Sequence, residues 1–153
     1  METNETFYVP ALRLAQDPNL PRLNTDGPLN SSRSASAFCR KFYFDDISIF
    51  ESMFLVLMAY NNTPIGYVKI SQGGVAGTYC DPKIIFKYAL ESVASKILLC
   101  HNHPSGNLTP SRQDEELTKR ILEGSKLFDI ELVDHLILTA DSYYSFAEEG
   151  KIS

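Results

Sequence analysis

Apolar and polar residues alternate along this chain with two different periods. Ala35, Phe38 and Phe42 recur at about one helical turn behind Ser31 and Ser32, both good N-caps, which predicts an amphipathic helix over 32–44. "FLVLMAY" is an apolar run short enough for a buried strand, "NNTP" supplies turn chemistry, and "IGYVKISQ" follows, so a β-hairpin is predicted. A helix over 82–95, opened by Asp81 and Pro82, sets Ile85, Ala89 and Val93 on one face with Phe86 and Leu90 beside them. "KILLC" then reads as a short apolar strand that delivers the chain to His101. In "SRQDEELTKRILEGSKLF", Leu117, Ile121 and Leu122 face inward with charges opposite, predicting a helix over 112–128 that Gly124 weakens slightly. "IELVDHLIL" is strand-like, and "SYYSFAEEG" closes the pattern with aromatic packing. Strands alternating with helices predict an α/β sandwich.

The first 31 residues do not share this order. Pro10, Pro18, Pro21 and Pro28, among several Asn, Asp and Gly, exclude a long helix, so an irregular N-terminal arm over 1–31 is expected ahead of a domain over 32–153. The 153 residues suit one domain, and 44% hydrophobic content is ample for one core. A net charge of -5 disfavours sequence-independent binding to a phosphate backbone. The densest basic segment, residues 33–41, reads more simply as a solvated helix face. The acidic start "METNETFYVP" lacks the basic end and apolar run of a signal peptide, and no stretch is apolar for the length of a membrane span. A soluble, cytoplasmic protein is expected. Cys39, Cys80 and Cys100, odd in number and without CxxC spacing, suggest reduced thiols.

Chemistry concentrates in "CHNHPSGNLTPSRQDEE", which holds two of the chain's three histidines. On an extended segment residues i and i+2 share a side, so His101 and His103 could present both imidazoles to one ion while Asn102 faces away. Asp114 falls in the first turn of the next helix, where the macrodipole favours a carboxylate. Two nitrogens and one anionic oxygen suit zinc, with a fourth position left for water as in catalytic sites. Ser111 would sit at the N-cap, its hydroxyl near that open position and able to stabilise an oxyanion. The same residues have a plainer reading: a polar turn followed by a capping box between Ser111 and Asp114. "GGVAGT" lacks the Gly-Lys-Ser/Thr ending of a phosphate loop and reads as a flexible connection.

Taken together, H-x-H at a strand end, seven residues, Ser, two residues and Asp resembles the JAMM (MPN plus) metalloprotease motif. "HNHPSG", "TPS" and "DHLIL" are together similar to the RadC family of bacterial JAMM-like domains, over roughly residues 32–150. The resemblance implies a JAB/MPN, cytidine-deaminase-like α/β fold, a curved mixed sheet flanked by helices. It also implies zinc on His101, His103 and Asp114, a supporting role for Ser111, and hydrolysis of peptide or isopeptide bonds.

Such enzymes need a glutamate that takes the proton from the zinc water. The resemblance places it five residues ahead of Gly73, which is Val68, and residues 52–80 contain no Asp or Glu. Glu51 lies at the far end of the first predicted strand and Glu91 on a helix, so either could reach the water only in an unexpected fold, and an impaired or repurposed site is expected. His135, also in the family's pattern, is either a hydrogen-bonded core histidine or a fourth ligand, and Asp134 could orient an imidazole. Cys100, turned away by alternation, is expected in the core. Tyr143, Tyr144 and Phe146 could stack bases but, without basic neighbours, are expected to pack the last strand. Two functions compete: a zinc-dependent metallopeptidase-like hydrolase acting on a peptide or protein, and a non-catalytic module binding a protein or nucleic acid in DNA processing. The acidic balance argues against direct duplex binding.

Overall fold

In the computed structural model, residues 10–43, 45–73 and 79–153 are described. Most of "GGVAGT", and Phe44 at the expected end of the first helix, lie outside them. The elements are α1 (Ser32–Arg40), β1 (Ser52–Met58), β2 (Pro64–Gln72), α2 (Pro82–Glu91), β3 (Lys96–Asn102), α3 (Arg112–Leu127), β4 (Glu131–Leu138) and β5 (Tyr143–Ser145). The five strands form one sheet in the order β2-β1-β3-β4-β5. β1 pairs antiparallel with β2, as the hairpin reading expects, and antiparallel with β3. β3 and β4 run parallel, joined through α3, and β5 returns antiparallel to β4.

Period-2 alternation splits the apolar residues between the two faces. Phe54, Val56 and Met58 of β1, with Leu98 and Cys100 of β3, pack under α1 against Phe38, Cys39, Phe42 and Tyr43. Met53, Leu55 and Leu57, with Ile97 and Leu99, pack against Ile85 and Ala89 of α2 and Ile121 of α3. The mixed sheet flanked by helices is therefore present, but the expected curvature is not. The sheet is not curled: its ladder is open, with β2 and β5 as separate edges. The physical reason is the second apolar layer. A sheet loaded by helices on both faces has no single core to wrap around.

Two helices are shorter than the periodicity predicts. α1 stops at Arg40, and the chain tightens into i to i+3 turns, with the amides of Lys41, Phe42 and Tyr43 donating to the carbonyls of Phe38, Cys39 and Arg40. Phe42 and Tyr43 thereby still reach the core. α2 ends at Glu91, and Val93, expected to face inward, takes a left-handed φ of 52° and is 84% exposed. Arg40 explains one charge of the basic segment: its guanidinium donates to the carbonyls of Thr139, Ala140 and Ser142, closing the β4–β5 turn.

All three cysteines are free and buried. Burial, with the charge of Asp81 adding, pushes the Cys80 thiol up to about 12, and burial and the neighbouring Cys100 push Cys39 well above the ordinary range. The thiolate is the nucleophile, so the folded protein should resist iodoacetamide at pH 8 and take up label at all three positions in urea. Peptide mass mapping checks this, and rapid native labelling would contradict the burial. Among the described residues, no helix is long and apolar enough to cross a membrane.

Candidate metal centre

The site lies where β3 runs out of the sheet. His101, on the face shared with Leu99 and α3, is fully buried, and His103 follows it two residues on, past the strand end. Asn102 turns to the opposite face, as alternation requires. The chain then crosses "PSGNLTP" and enters α3 at Ser111, bringing Asp114 back over the histidines. The capping box is real: the Ser111 hydroxyl accepts from the Asp114 amide at 3.1 Å, and Asp114 Oδ2 accepts from the Ser111 amide at 2.7 Å. It does not compete with a ligand role. The cap fixes the carboxylate while leaving Oδ1 3.1 Å from His101 Nε2.

Hydrogen bonds settle which imidazole atoms carry protons. The Thr118 hydroxyl donates to the Asp114 carbonyl at 2.7 Å, so its oxygen accepts from His135 Nδ1 at 2.6 Å. His135 Nε2 is then bare and accepts from His101 Nδ1 at 2.8 Å. His101 Nε2 is left as a lone pair. On the other ring, His103 Nδ1 donates to the Asn107 carbonyl at 2.6 Å, which bares its Nε2 as well. The two bare nitrogens stand 3.0 Å apart, and His103 Nε2 is 3.4 Å from Asp114 Oδ2.

Three electron-rich groups thus face one another, with ligand atoms all within 4.8 Å. Such an arrangement is unfavourable unless a proton or a cation sits among the lone pairs. The protein's own charges respond accordingly. The hydrogen bond that a protonated His103 would donate to the Asp114 carboxylate raises its pKa against the opposing effect of burial, with smaller help from the Asn107 carbonyl and the charges of Asp114 and Glu51. Burial would raise Asp114, but the bonds to His101 and His103 outweigh it and hold the carboxyl well below the usual range. Burial, reinforced by His101, keeps His135 neutral.

The spacing fits a metal. Ligand bonds of 2.0–2.2 Å in a tetrahedron put ligand atoms about 3.3 Å apart. The two bare nitrogens, 3.0 Å apart, and the two carboxylate oxygens of Asp114, Oδ1 3.1 Å from His101 and Oδ2 3.4 Å from His103, stand within a few tenths of an ångström of that edge. The donor set, two imidazoles and one carboxylate, is a borderline-to-hard set of the kind zinc takes.

His135 belongs to the support rather than to the cluster. Its ring orients His101, stacks on Phe146 at 4.9 Å between centroids, and closes a circuit through Thr118 back to the backbone of Asp114. Asp134 does not touch an imidazole. Its carboxylate accepts from the amides of His135 and Ala147 and from the Ser145 hydroxyl, on the other face of the sheet. Cys100 is in the core under α1, Tyr143 packs against the same layer, and Phe146 is buried.

Glu51, which the sequence set at the far end of the first strand and out of reach, lies beside the site. In the β1–β3 ladder Met53 pairs with His101, so counting outward sets Ser52 across from Asn102 and Glu51 across from His103. Glu51, half-buried, shares an open cleft with Cys80, His103, Ser111, Asp114 and Arg120. Val68, by contrast, pairs with Leu55 and packs against the apolar layer under α2.

Residues 29–151 match the family described as the RadC-like JAB domain. The chain is 42% identical over 100 residues to a UPF0758 protein of Flavobacterium johnsoniae, covering 65% of this chain and 44% of that protein. A UPF0758 protein of Porphyromonas gingivalis is 42% identical over 101 residues, with the same shares covered. One of Clostridioides difficile is 35% identical over 111 residues, 71% of this chain and 47% of its own length. The chain spans less than half the length of these curated relatives.

Proposed function

The chain belongs to the RadC-like JAB domain family, and we propose that its domain, over 32–153, binds zinc through His101, His103 and Asp114 and hydrolyses peptide or isopeptide bonds with Glu51 as general base. The observation that carries this reading is the cluster of two bare imidazole nitrogens and one carboxylate, with ligand atoms within 4.8 Å of one another, beside an open cleft lined by Glu51.

Zinc, when bound, polarises a carbonyl and brings the ionisation of water close to neutral pH. His135 and Thr118 keep His101 in the tautomer that offers Nε2, and Asn107 does the same for His103. Glu51 takes the proton of the attacking water and returns it to the leaving nitrogen. The Ser111 hydroxyl, at the mouth of α3, stabilises the oxyanion that develops on the former carbonyl. The expectation of an impaired site rested on Val68, and Glu51 supplies the base that residue 68 cannot.

Metal analysis after zinc loading and desalting tests the first half. The wild type should retain stoichiometric zinc and His103→Ala should lose most of it. Equal zinc in the two proteins would end the metal reading.

A further inference from the structure

Between the two proposed ligands stands Asn102, fully buried and pointing away from both. Its side chain is completely used. Oδ1 accepts from the Ser52 amide at 2.8 Å, and Nδ2 donates to the carbonyls of Ile47 and Phe50, each at 2.7 Å. These partners bracket Glu51. The Glu51 carbonyl itself accepts from the Gly73 amide at 2.9 Å, and the Ser52 carbonyl accepts from the Tyr43 hydroxyl at 2.7 Å. The backbone on either side of Glu51 is therefore tied down, chiefly by one asparagine.

The side chain of Glu51 makes no hydrogen bond among the described residues, so where its carboxylate stands depends on the backbone that carries it. Residues 45–51 belong to no helix or strand, and without an anchor they could shift relative to β3. We propose that Asn102 is a positioning residue, holding the 47–52 segment so that Glu51 stays opposite the metal-binding histidines. Because Asn102 lies between His101 and His103 in the chain, ligands and base are set in register by one tripeptide. Asparagine suits this place for a definite reason: it alone among side chains of its length offers an acceptor and two donors. Aspartate would set a carboxylate against two carbonyl oxygens, and an apolar residue would leave an amide and two carbonyls buried without partners.

This role rests on the reading of Glu51 as base, and the test separates the two. Asn102→Ala, the milder Asn102→Ser, Glu51→Gln and a control truncation on the same face of β3, Leu98→Ala, would each be loaded with cobalt(II). All retain the ligands and should bind the ion stoichiometrically. In Asn102→Ala, amide exchange over 47–52 should rise about tenfold or more above any change elsewhere in β1, with Asn102→Ser intermediate. The pH midpoint of the cobalt absorption should also move toward that of Glu51→Gln, which loss of stability alone would not cause. Leu98→Ala should show neither effect. Exchange and midpoint both at wild-type values in the Asn102 variants, or matched by Leu98→Ala, would overturn the proposal. A midpoint that Glu51→Gln fails to move, with exchange still faster in Asn102→Ala, would sink the base reading while leaving the anchor in place.

Discussion

Glu51→Gln is expected to bind zinc as the wild type does and to hydrolyse a fluorogenic peptide or isopeptide probe about 10² to 10⁴ times more slowly, the usual contribution of a placed general base. The amide keeps the size of the side chain and removes only its ability to take a proton. None of the ligand bonds involves residue 51, so metal content should not follow the rate down. The companion variant Val68→Glu should gain nothing, because residue 68 pairs with Leu55 on the edge strand and packs, partly buried, against the apolar layer under α2, where a carboxylate would be partly desolvated. Steady-state rates measured beside zinc stoichiometry decide the matter. A Glu51→Gln protein with an undiminished rate would remove Glu51 from the chemistry.

The second large effect concerns Asp114, which caps α3 and is also a proposed ligand. Asp114→Ala removes a proposed ligand and the reciprocal partner of Ser111 at the start of α3. It should lose zinc and, in chelator, also lose about 1 kcal/mol of stability from the broken cap. Asp114→Asn separates these effects. Its amide oxygen can still accept from the Ser111 amide, so the metal-free protein should unfold in urea near the wild-type midpoint while zinc affinity falls steeply for want of the negative charge. Competition with a chromophoric chelator measures the affinity. Tight zinc binding by both variants would mean that the carboxylate is no ligand.

The proposed ligands could be found in the sequence because their placement is local. Alternation puts His101 and His103 on one side, and the N-cap pattern at Ser111 puts Asp114 in the first helical turn. Glu51 could not be found that way. Its position depends on which residue of β1 meets which residue of β3, and hydrophobic pattern reveals strands without revealing their register. His135 shows an intermediate case: a histidine among apolar strand residues signals burial, but only the fold shows that its hydrogen bond goes to a ligand. Val93 continued the apolar face of α2 on paper, yet the chain turns left-handed there and exposes it. That the sheet stays uncurled likewise follows from layers on both faces, which no single segment encodes.

The bond from Ser52 to Asn102 joins residues 50 positions apart, and the parallel β3–β4 pair must wait for α3 to cross over. Closing such distant segments is slow and costs chain entropy before any contact repays it. The cluster is therefore expected to assemble late in folding, after the central strands have found each other. Under the proposed function, an ion arriving during folding would meet scattered histidines with little hold on it, and would act as a lock on the finished domain instead of a seed for it.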